Sequence, residues 1–198
     1  MRNGAYLAGL ALTVTAALIA GCGASVPRTV TPAASRATTH VSDHNVPACG
    51  LSQLQLTAGP RISEMTEQNT LVLVFRNISA KACDLRGYPG ITLTDSRGRR
   101  LAFVYRPGGD QMLTSNRPGL VRLAPHGYAY SALNKNTCVS FARTSAARAE
   151  VTPPGQHEPL VLTLAHYPIL GYCGRGDPGH TIDIAPVEPT SAGVLANQ

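Results

Sequence analysis

The sequence predicts an all-β protein, an antiparallel sandwich of eight or nine short strands in a single domain. Three observations lead there. The 19 glycines and 15 prolines make up roughly 17% of the chain, against an average of about 12%, so turns are frequent. Short apolar and alternating segments recur between those turns, the pattern of strands rather than helices. Within residues 49–187 no stretch longer than about ten residues carries a helical stripe. With 43% hydrophobic and 14% charged residues, the chain is too apolar to be fully disordered. The net charge is +6, and 15 of the 17 basic residues are arginine.

The first element is an address. Arg2 is the only charge before Arg28, and residues 5–20 form an apolar run. The run suits a signal peptide h-region and is short for a spanning helix of about 20 residues. It ends in Leu18-Ile19-Ala20-Gly21-Cys22, the lipobox pattern of an aliphatic residue, two small residues and Cys. Residues 1–21 therefore read as a lipoprotein signal peptide. The Cys22 thiol would accept diacylglyceryl, while Ala20 and Gly21 let a peptidase approach the bond before it. Two acyl chains hold a protein at a membrane where one binds only marginally. The expected location is the extracytoplasmic face of the cell membrane. Residues 22–48 have the Ser/Thr/Pro-rich composition of a tether.

The domain is expected over 49–187, followed by a disordered tail over 188–198. Leu54 and Leu56 alternate with Gln53 and Gln55. Thr70 to Arg76 is a nearly continuous apolar run, as in a strand buried on both faces. Ile91 and Leu93 alternate with Thr92 and Thr94, and Asp95-Ser96-Arg97-Gly98 is a turn. Leu101, Phe103 and Tyr105 return on one face, which predicts a hairpin. Segments 120–123, 128–133, 147–151, 160–164 and 181–184 complete the strands.

Setting Cys22 aside leaves Cys49, Cys83, Cys138 and Cys173, an even number in an exported chain. Four cysteines allow three pairings. Sequential pairing, Cys49 with Cys83 and Cys138 with Cys173, is preferred. Each loop of about 35 residues would then stabilise the fold by roughly 3–4 kcal/mol. A cysteine metal site would need close C-x-x-C pairs, and the domain has none.

Cys49-Gly50-Leu51 opens the domain, and Phe75-Arg76-Asn77-Ile78-Ser79 precedes Cys83-Asp84-Leu85-Arg86-Gly87-Tyr88-Pro89. Leu123-Ala124-Pro125-His126-Gly127 comes next, then Cys138 and Cys173. This order resembles an actinobacterial family of exported proteins and lipoproteins, domain of unknown function 4232, over about 49–187. The resemblance implies an immunoglobulin-like β-sandwich in an actinobacterial envelope, and it implies no activity. Two positions depart from the family pattern. His126 stands where a second Gly is usual, and Asn134 lies near where many members carry Trp.

Signatures of catalysis are missing: the sequence has no G-x-S-x-G, H-E-x-x-H, S-x-x-K or phosphate-binding glycine loop. A non-catalytic binding or structural module is expected, with no cofactor and no metal, its ligand and any protein partner unidentified. Two alternatives are a metal-handling Cu/Zn envelope lipoprotein, for which His40, Asp43 and His44 would be weak tether ligands, and an unrecognised hydrolase. Arg97, Arg99 and Arg100, near Arg106, form the densest basic cluster, a candidate patch for anionic cell-wall polymer or lipid headgroups. Such arginines also protect strand edges. Nucleic acid is excluded by compartment. Arg175-Gly176-Asp177 matches the integrin-binding tripeptide, a short match that arises by chance. Asn77-Ile78-Ser79 has the form of a glycosylation sequon, read here as strand-edge structure.

Overall fold

The computed structural model describes residues 46–63, 67–139, 141–142, 144–164 and 170–196. The expected signal peptide, Cys22, and the tether as far as residue 45, with His40, Asp43 and His44, lie outside the described residues. Strands follow in chain order as β1 (Leu54–Ser63), β2 (Gln68–Asn77), β3 (Cys83–Leu85), β4 (Gly90–Thr94), β5 (Val104–Pro107) and β6 (Val121–Leu123). Then come β7 (Tyr128–Asn136), β8 (Thr144–Ser145), β9 (Arg148–Thr152), β10 (Leu160–Thr163), β11 (Gly171–Tyr172) and β12 (Thr181–Ile184). No α-helix occurs among the described residues; three single 3-10 turns are the only helical segments. None is long or apolar enough to cross a membrane.

The fold is all-β. A five-stranded sheet has the order β1-β2-β7-β12-β5, and a three-stranded sheet the order β10-β9-β4. Two small ribbons, β3-β6 and β8-β11, complete the set. Every pair is antiparallel except β12 with β5, which runs parallel.

β2 is buried on both sides, as its apolar run predicts. Strand side chains alternate between faces, so Leu71, Leu73 and Phe75 enter one core with Leu93, Ala149, Val151, Leu133 and Ile182. Val72 points the other way, into a second cluster with Leu113, Ala132, Ala185 and Val194. The C-terminal segment covers that second face, so residues 188–196 depart from the expected disordered tail over 188–198. Glu188 and Tyr130 exchange backbone hydrogen bonds of 2.8 and 2.9 Å, and Thr114 N donates to Val194 O at 3.1 Å. Val194 is fully buried. The outer face of β2 and β7 is apolar at Val72 and Ala132, and leaving it wet would cost about 25 cal/mol per Å². A segment with few charges and Val194 at its centre lies over it.

The predicted hairpin at 95–98 closes only its first rungs. Asp95 N donates to Arg99 O and Leu101 N to Leu93 O, both at 2.9 Å. Beyond Leu101 the chain leaves β4 and joins the large sheet as β5. Leu101 and Phe103 are buried in the core, so the crossing satisfies them better than a continued ladder. Tyr105 keeps the link, its hydroxyl accepting from Leu93 N at 2.9 Å.

The disulfides are Cys49–Cys83 and Cys138–Cys173, with Cα separations of 4.7 and 5.4 Å. The signature around the first is structural. Asp84 bridges backbones, accepting from Cys49 N and donating to Pro47 O, while its carboxylate meets Arg122 Nε at 3.1 Å. Gly87 has φ of +124°, a conformation that excludes most side chains, and its carbonyl accepts from Val187 N. Asn77 is fully buried. Its Nδ2 donates to the carbonyls of Lys81, Leu123 and Ala124, so the sequon nitrogen is consumed by the fold.

Candidate functional site: a polar cleft on the large sheet

The outer face of the large sheet has one polar end. Its register sets Thr70 opposite Asn134, Asn134 opposite Asp183, and Asp183 opposite Arg106. Four polar side chains thus form one row across β2, β7, β12 and β5, on the face away from Leu71 and Phe75. Asn134 is the centre, 1% exposed. Its Oδ1 accepts from Thr70 Oγ1 at 2.9 Å. Its Nδ2 donates to Gln68 Oε1 at 2.5 Å and to Asp110 Oδ2 at 2.6 Å.

Asp110 brings its loop to the sheet. The other carboxylate oxygen accepts from Met112 N and Leu113 N, both at 2.7 Å. Leu113 then packs with Val72 and Val194, so the polar site and the second apolar cluster share one support. Arg106 lies along Asp183, with Nε to Oδ1 at 2.8 Å and Nη2 to Oδ2 at 3.1 Å. The Asp183 hydrogen bond, and after it the Asp183 charge, raises the Arg106 pKa.

Between these groups opens a cleft of about 280 Å³, walled further by Gln111 and Asn136. Gln68, itself 2% exposed, lines it with its Oε1 already taken by Asn134. None of the lining residues is Ser, Cys, Lys or His, the side chains that supply most nucleophiles. Both carboxylates are held by donors. The arrangement can orient a hydrogen-bonding ligand through amides and an ion pair that are already fixed in place, the condition that lowers the entropic cost of binding.

The predicted site residues fall elsewhere. Arg97, Arg99 and Arg100 are exposed around the 95–98 turn. They do not act as three free cations, because Arg99 Nη2 pairs with Asp95 at 2.8 Å. Asp95 also accepts from Arg97 N and Arg99 N at 2.9 Å. The backbone hydrogen bond from Arg99 leads the interactions that lower its pKa, against a burial that raises it. Arg106 is committed to Asp183. In the Arg-Gly-Asp tripeptide, the Asp177 carboxylate accepts from Gly179 N at 2.8 Å and Val139 N at 3.2 Å. Its acid is therefore employed inside the chain.

Sequence reasoning missed the cleft. One signal was available: Thr70, Asn134 and Asp183 each interrupt an apolar strand, and buried polar residues need a partner. Asn134, a departure from the family pattern, stands at the centre of the network. His126, the other departure, has φ of +63°. Gly127 N donates to Ala124 O at 2.8 Å, so Pro125 and His126 occupy the middle of a turn of type II geometry. That turn prefers Gly at the position of His126.

Fold and site together define an all-β domain, stapled by two disulfides and carrying a polar cleft. Residues 49–190 match the family described as a domain of unknown function (DUF4232), and the chain belongs to that family. No curated protein and no solved structure matches it.

Proposed function

We propose that the protein is a non-catalytic binding module, an immunoglobulin-like sandwich displayed from an actinobacterial cell membrane by a lipid on Cys22. Support for the anchor comes from the lipobox ending at Cys22 and from the paired domain cysteines, which suit an oxidising compartment. Mass spectrometry of the mature protein from membranes tests this half. The expected N-terminus is an acylated Cys22; a mature chain without acyl mass overturns it.

The observation that carries binding is the cleft, where Gln68, Asn134, Asp110, Asp183 and Arg106 are locked together around an open volume. Its amides and paired charges suit a neutral polar ligand, rich in hydroxyl or amide groups, from the cell envelope. The exposed Arg97, Arg99 and Arg100 would add weak attraction to anionic wall polymer or lipid headgroups. Thermal-shift titration with fractionated envelope extract tests the cleft. A ligand at 100 times its Kd stabilises by about 2.7 kcal/mol, and this gain should vanish in a Gln68→Ala/Gln111→Ala variant. An equal gain in both proteins places the ligand elsewhere.

A further inference from the structure

A buried lysine stands beside the second disulfide. Lys135, on β7, is 2% exposed, although lysine is almost never fully buried without a partner. Its Nζ donates to Asn136 O at 2.6 Å and contacts Cys173 Sγ at 3.9 Å. No carboxylate lies within ion-pair distance of it among the described residues. Gly179 completes the enclosure: a Cβ there would meet Cys173 Sγ at 2.6 Å and Lys135 Nζ at 3.1 Å. The amine serves neither the apolar core nor the polar cleft.

The two disulfides differ in access. Cys49 and Cys83 are both fully buried. Cys173 is buried too, but its partner Cys138 is only half-buried. Among the described residues after Cys138, Val139 is 83% and Phe141 98% exposed.

We propose that Cys138–Cys173 is an exchange-reactive disulfide, opened by an external dithiol at Cys138, with the Lys135 ammonium stabilising the departing Cys173 thiolate. The attacking thiolate forms a bond to Cys138 Sγ, the Cys138–Cys173 bond breaks, and its electron pair leaves on Cys173 Sγ. The second thiol of the reagent then attacks the mixed disulfide. Cys138 is released, the reagent becomes a disulfide, and the protein has gained two electrons.

Exchange is faster when the leaving thiol has a lower pKa, and an adjacent cation lowers it. The other charged group here is Asp177, whose carboxylate lies within 4.8 Å of both sulfurs and opposes a thiolate on either. His180 belongs to the same turn, its Nδ1 bonded to Asp177 O at 2.7 Å. The Lys135 contact is made with Cys173, which sets the direction of attack. Burial draws the Lys135 pKa down to about 8, with Asp177 pulling the other way, so the amine is still mostly protonated at neutral pH.

The test is partial reduction of the purified full chain with dithiothreitol at pH 7, quenched by alkylation and read by peptide mass mapping. Cys138–Cys173 should open at least tenfold faster than Cys49–Cys83. In Lys135→Met its rate should fall about tenfold while that of Cys49–Cys83 is unchanged. In the reduced wild type, the pH profile of Cys173 alkylation should give a pKa below the ordinary thiol value of about 8.5, and Lys135→Met should restore it. Should the variant not fold, the ratio of the two wild-type rates and the wild-type Cys173 profile still decide. Equal rates for the two disulfides, or an ordinary Cys173 pKa, overturn the proposal.

Discussion

Replacing Lys135 with Met measures what the buried amine costs the fold. In the unfolded chain the amine holds its proton up to about pH 10.4; in the folded chain burial lowers the pKa from 10.5 to about 8. A difference of about 2.5 units corresponds to roughly 3 kcal/mol at 1.36 kcal/mol per unit. Below pH 8 both states are protonated, and the whole penalty weighs on the native state. Between pH 8 and 10.4 the unfolded state binds more protons, so stability rises with pH. Integrating the two titrations from pH 7 to pH 10 gives about 2.5 kcal/mol gained by the wild type relative to the variant. Packing differences between Lys and Met do not depend on pH and drop out of that comparison. The assay is urea unfolding followed by far-UV circular dichroism at pH 7, 8, 9 and 10, since the chain has no Trp. A wild-type-minus-variant difference that stays flat within about 0.5 kcal/mol across this range refutes the reasoning.

Three further outcomes follow from the same geometry. The double variant Arg97→Ala/Arg100→Ala keeps the Asp95–Arg99 pair and should lose about 2 kcal/mol of binding to anionic vesicles at low salt, with an unchanged Tm; undiminished binding removes the turn from the account. His126→Gly relieves a left-handed residue that is exposed, and should raise stability by up to about 1 kcal/mol, read as a higher Tm; a lower Tm contradicts the turn assignment. Val194→Ala should cost about 2 kcal/mol, and truncation after Val187 more, in chemical denaturation; a neutral effect of both would return the C-terminal segment to the status of a loose tail.

What the sequence made legible was local. The apolar run of β2, the alternations of β4, β9 and β10, and the Thr181–Ile184 strand could each be read in their own residues. The two-residue strands β8 and β11, and the three-residue β3, are too short to carry a period, and pairing alone defines them. The hairpin failed for another reason. Asp95-Ser96-Arg97-Gly98 does turn the chain, but the destination of β5 is decided by the burial of Leu101 and Phe103 far from the turn. The C-terminal segment misled because Val194 and Leu195 are a short apolar pair with no period, and only the face of Val72 and Ala132 that they cover explains them. The cleft was least accessible. Gln68, Arg106, Asp110, Asn134 and Asp183 have no common spacing; the sheet register assembles four of them, and the loop after β5 brings in Asp110. The four domain cysteines were the easier case, because an even number limits them to three pairings before any geometry.

The proposed binding role stands or falls with the occupant of the cleft. The direct measurement is amide nuclear magnetic resonance of the isotope-labelled protein, titrated with the envelope fraction that gives the largest thermal shift. The account predicts that the perturbed signals cluster on the side-chain amides of Gln68, Gln111, Asn134 and Asn136 and on the backbone around Asp110 and Asp183. Perturbations confined to the Arg97–Arg100 turn or to the Cys138–Cys173 end, with the cleft amides unmoved, would contradict it.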